Sequence, residues 1–138
     1  MIQVLSHINK IQFIDTRHLQ NITIIPGVGI MLNYWRNFTE LPLANLASME
    51  VVSKVENNSR LFTTTIKALL TNHFDITNRR LAYMVTTVEG KRFFIGSGEA
   101  PYPVSNTTDT FPEKTTDQSG QTLSVEYTDT LGLMPVLD

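Results

Sequence analysis

Apolar and polar residues alternate with a period of two along much of this chain, and the clearest case is LAYMVTTVEGKRFFIG at residues 81–96. Two alternating runs meet at Glu89-Gly90, where glycine accepts a positive φ without a steric penalty. The pattern predicts a β-hairpin with a two-residue primed turn, the type that matches the twist of its flanking strands. Tyr83, Val85 and Thr87 fall on one face of the first strand, and Phe93 and Ile95 on one face of the second.

The rest of the chain repeats this pattern more weakly. Residues 8–14 read as a first strand, with Ile11 and Phe13 on one face and Lys10 and Gln12 on the other. Asp15-Thr16-Arg17 reads as a turn, and residues 21–25 as a short strand closed by Pro26-Gly27. Val28, Ile30, Leu32 and Tyr34 then alternate as a third strand. The stretch PLANLAS at residues 42–48 offers one helical turn, since proline suits a first helical position.

Residues 49–70 form the longest patterned segment. Its β-branched and threonine-rich composition favours strand, with helix as the second choice for residues 65–73. Glu56-Asn57-Asn58-Ser59 is either a turn between two strands or a bulge in one. Residues 122–128 form the last clear strand, with Leu123, Val125 and Tyr127 on one face, and residues 131–137 are apolar enough to dock.

Between these strands the texture changes. Residues 97–120 contain three prolines and few large apolar residues, and Pro101 and Pro103 enforce extended backbone. Residues 105–120 read as a long polar loop, mobile in an isolated subunit and ordered by assembly. Phe111 is its one large apolar residue. It serves either as an anchor for a neighbour's pocket or as a side chain folded back on its own core. Phe111, with Pro101, Tyr102 and Pro103, makes up the expected partner-binding set.

Composition narrows the function classes. The 138 residues suit one domain, and 41% hydrophobic content supplies a core. A net charge of -2 and a pI near 5.9 give no electrostatic reason to expect nucleic acid or an anionic membrane. Zero cysteines exclude disulfides and thiolate chemistry and fit a reducing compartment. The N-terminal segment is interrupted by His7, Asn9 and Lys10, so it reads as strand and not as a signal peptide. No apolar run reaches the roughly 18 residues of a membrane span. The expected location is the cytoplasm.

No catalytic or metal constellation emerges. Asp15 and His18 stand three apart, with His7 and His73 elsewhere, but an aspartate at a turn normally binds its own backbone. Ser97 in Gly96-Ser97-Gly98 lacks the spacing of a nucleophile elbow, and no helix follows to aim N–H groups at a phosphate. Asn21, Asn37, Asn57 and Asn106 begin sequons that a chain rich in Asn and Thr carries by chance. Trp35-Arg36 and Arg79-Arg80 make no basic stripe. Glu99, Asp109, Glu113 and Asp117 read as solvated loop charges. The residues imply a non-enzymatic protein without cofactor or metal.

One resemblance adds to this. Residues 79–104 and 117–137 resemble small prophage-encoded structural proteins of Bacteroidetes-type genomes. The likeness rests on Tyr83, Val85, Gly90, Arg92, Phe93, Ile95, Gly96 and Ser97 in the hairpin and on Glu99 and Pro101 after it. Ser119, Gly120, Tyr127 and Thr128 in the final strand complete it, and INKIQFID is similar to the N-terminal part of such proteins. The resemblance implies a role in head–tail connection or tail assembly, with protein subunits as partners and a place in a phage-like particle.

The fold expected is one mainly antiparallel β domain over residues 1–138, a sandwich or partly closed barrel. It should hold about seven or eight strands and one or two short helices. A ligand-binding β module, with carbohydrate as an example of its ligand and Tyr34, Trp35 and Tyr102 as its stacking surface, is the alternative function.

Overall fold

The computed structural model describes residues 2–18, 23–25, 28–31, 38–44, 46–71, 80–96, 102–110, 120–130 and 134–137. Among these the chain is almost entirely strand. The strands are β1 (Ile2–Asp15), β2 (Thr23–Ile25), β3 (Gly29–Met31), β4 (Thr39–Glu40), β5 (Ala47–Glu56) and β6 (Ser59–Leu70). They continue with β7 (Leu81–Thr87), β8 (Arg92–Ile95), β9 (Val104–Thr110), β10 (Gly120–Asp129) and β11 (Met134–Leu137). All eleven join one sheet in the order β2-β3-β11-β8-β7-β1-β5-β6-β10-β9, with β4 on β1. Every pair is antiparallel except β3 with β11, which makes the sheet mixed.

No helix occurs among the described residues beyond a 3-10 turn at Thr16–His18. The described residues of the 42–48 segment form no helical turn, because they are used as a brace. Leu43 bridges Leu70, Ala44 N–H donates to the Leu69 carbonyl and Thr71 N–H donates to that of Pro42. The helical alternative for residues 65–73 also fails, since β6 runs to Leu70 with Ile66, Ala68 and Leu70 buried in alternation.

β1 is bent, and the bend explains its pattern. Its early residues pair with β5 and residues 10–15 pair with β7, with register shifts between Leu5 and Ile8 and between Ile8 and Lys10. Ile8 and Ile11 are three apart and would face opposite sides of a regular strand. The extra residue at the second shift turns both into the same core, whereas Ile14 enters the other.

Two cores lie on opposite faces of β7. Tyr83 and Val85 join Ile8, Ile11, Met49, Ile66, Leu123 and Val125 in the larger one. Ala82 and Met84 join Ile14, Ile30, Phe38, Phe94 and Met134 in the smaller, where the Phe38 and Phe94 rings meet edge to face at 6.3 Å. A strand buried on both faces reads as a continuous apolar run, which LAYMV is.

The two hairpin turns exchange the expected roles. Asn57 and Asn58 have φ of 51° and 65°, and Glu56 pairs with Ser59, so the two-residue primed turn lies between β5 and β6. Four residues, 88–91, lie between β7 and β8, and Val88, Glu89 and Gly90 form the turn proper. Gly90 N–H donates to the Thr87 carbonyl, Thr87 N–H donates to that of Lys91, and Gly90 takes φ 90°. This is a tight turn followed by a glycine bulge, in place of the primed turn at Glu89-Gly90. No heavy atom stands within 4 Å of a Cβ built on Gly90, so backbone strain alone sets the effect of a substitution. Replacing Gly90 with valine should cost about 1 kcal/mol or more, read as a lower urea midpoint.

Candidate functional site

The edge at β9 begins with how the chain reaches it. After β8, Gly96 takes φ 135°, and a Cβ there would lie 2.8 Å from the Ala82 Cβ and 3.3 Å from the Pro103 Cγ. Pro103 is accordingly buried. Tyr102, one residue earlier, is half-buried with the Arg80 guanidinium 5.1 Å from its ring centroid.

β9 then pairs with β10 over seven consecutive residues without a register shift. Residues 105–110 and 120 of the segment expected as a polar loop at residues 105–120 are therefore strand. Residues 111–119, with Phe111 among them, and Pro101 lie outside the described residues, as do Tyr34, Trp35, Ser97 and His73.

Five strand steps separate β7 from β9 along the sheet, which at about 4.8 Å each would be roughly 24 Å if flat. Yet the Tyr83 and Ser105 hydroxyls are 2.6 Å apart. The sheet curls so that its β9 end lies over β7, without closing into a barrel. Tyr83 is wholly buried, and this hydrogen bond offsets the cost of removing its hydroxyl from water.

Ser105 and Thr107 are half-buried, whereas Val104, Asn106 and Thr108 face outward. Val104 is 60% exposed. At the opposite end of the sheet, Ile24, Ile25, Val28 and Met31 are exposed on and beside the short β2–β3 pair.

Asp15 accepts hydrogen bonds from Arg17 N–H, Nε and Nη2 at 3.0–3.1 Å, the backbone-binding turn role expected of it. Among the described residues no three His, Asp or Glu side chains gather as a metal cluster. An open, mostly polar groove of about 430 Å³ is lined by Asn9, Glu40, Leu41, Pro42 and Leu43, and no titrating pair converges on it.

Tyr127, buried on β10, donates its hydroxyl to Asp129 Oδ2 at 3.1 Å. Burial raises this phenol well above its ordinary value near 10, and the charge and hydrogen bond of Asp129 add to the rise. The unfolded chain loses this proton first as pH climbs past about 10, so the contribution to stability is complete below that pH and declines above it. The urea midpoint should fall as pH rises above about 10, and fall less in Tyr127→Phe.

No helix among the described residues is long and apolar enough to cross a membrane. Comparison with protein families, with curated proteins and with solved structures returns no match to this chain.

Proposed function

We propose that this chain is a non-enzymatic structural subunit of a phage-like particle, acting in head–tail connection or tail assembly. The observation that carries the reading is an open sheet that ends in a seven-residue strand. Such an edge displays unpaired N–H and C=O groups and is competent to pair with another chain. The resemblance of residues 79–104 and 117–137 to prophage-encoded structural proteins points the same way. Its partners are protein subunits, and its place is the cytoplasm before incorporation into the particle.

Mass measurement in solution across a concentration series, followed by negative-stain imaging, tests this. Oligomers that grow with concentration, or rings and tubes, are expected. A chain that stays monomeric throughout, or one that instead binds oligosaccharide through its aromatics, would sink the assembly reading.

A further inference from the structure

We propose that two copies of this chain pair antiparallel through β9, about a two-fold axis at Thr107. The inference rests on the assembly reading and names the surface it uses. β9 is the last strand of the sheet, and among the described residues no strand pairs with its outer edge. Soluble proteins usually protect such an edge with charged side chains, lysine above all, or with proline, a bulge or extreme shortness. Residues 104–110 read VSNTTDT, with no lysine or proline, a single charged residue in Asp109, and no register shift against β10. By contrast β2, the strand at the other end, has three residues and can offer few hydrogen bonds.

The edge is also held in shape. Seven pairs with β10 fix one side, and Ser105 is tied to the buried Tyr83. A partner strand therefore meets a preformed template and orders little by binding. The outward residues Asn106 and Thr108 are exposed and uncharged, so adding a strand desolvates no ion there.

The length of the strand selects the register. In an antiparallel pair of identical strands, the sum of facing residue numbers must be even, because only residues with matching N–H and C=O directions can face each other. An axis at Thr107 is the choice that uses all seven residues. It sets Asn106 opposite Thr108 and Asp109, the strand's sole charge, opposite Ser105. Moving the axis to Asp109 would leave most of the strand unpaired. One strand pair buries less area than a permanent dimer needs, so association should depend on concentration.

The test uses the full chain in sedimentation equilibrium, with substitutions at exposed positions only. Asn106→Lys with Thr108→Lys places lysine against lysine across the proposed axis, and self-association should weaken by about tenfold or more. Asn106→Glu with Thr108→Glu should weaken it similarly, and an equimolar mixture of the two variants should restore the dimer. Neither change should move the melting temperature at concentrations where the wild-type chain is monomeric. In the wild-type chain, amide exchange in β9 should slow as concentration rises, a readout that does not depend on any variant folding. Self-association indifferent to both substitutions, or β9 exchange independent of concentration in an associating chain, overturns β9 pairing and leaves the assembly reading standing. A wild-type chain monomeric at every concentration overturns both.

Discussion

Replacing Gly96 with alanine should destabilise this protein by about 3 kcal/mol, a fall of roughly 10 °C in melting temperature. Two causes act together. A Cβ at this position would stand 2.8 Å from the Ala82 Cβ and 3.1 Å from the Ala82 Cα, so part of the obstruction is backbone that cannot rotate away. The φ of 135° is moreover a conformation that side chains other than glycine rarely adopt. Ala82 is wholly buried in the smaller core, between β1 and β8, and has no free space into which to retreat. Ala82→Gly added to Gly96→Ala should recover only part of the loss, because it removes the side-chain contact and leaves the strain. Thermal denaturation of the two single variants and the double variant measures both contributions. A Gly96→Ala protein that melts with the wild type would mean that the chain does not pass this close to β7.

The strands that alternate were legible because alternation is what burial on one face demands. Leu123, Val125 and Tyr127 share a core face, as do Tyr83, Val85, Phe93 and Ile95, and both sets follow from the period of two. β9 was hidden for the complementary reason. An edge strand with a solvated outer face and threonine or serine on its inner one carries no hydrophobic period, so VSNTTDT reads as loop by polarity. Its β-branched threonines were the available signal. The hairpin at Gly90 was legible in position but not in type, since a glycine at positive φ serves both a primed turn and a glycine bulge. The bulge in β1 could not be read from Ile8 and Ile11, because a spacing of three makes sense only once the partner's register is known. Of the expected partner-binding residues, Tyr102 and Pro103 lie at the entry to β9, yet one is stacked by Arg80 and the other is buried. They position the edge more than they display it, and the edge itself is backbone, which side-chain chemistry does not announce.

Tyr83 should be the side chain on which that edge most depends. Its ring is wholly buried in the larger core, and its hydroxyl reaches across the curled sheet to Ser105. Tyr83→Ala removes both and should cost about 3–5 kcal/mol, the usual range for deleting a buried aromatic. Tyr83→Phe keeps the ring and removes the bond to Ser105, and should cost about 1 kcal/mol. The two variants thus divide core packing from the cross-sheet tie. Their effects should also differ in place. The alanine variant should raise amide exchange throughout β1, β7 and β10, which contribute to the same core. The phenylalanine variant should raise it chiefly in β9, since β10 still holds one side of that strand while its face has lost an anchor. If β9 is the surface through which copies pair, Tyr83→Phe should also weaken self-association, although Tyr83 is itself wholly buried. Equal exchange in β9 before and after Tyr83→Phe would show that pairing with β10 alone fixes the edge, and the hydroxyl bond would then be a local satisfaction of a buried polar group.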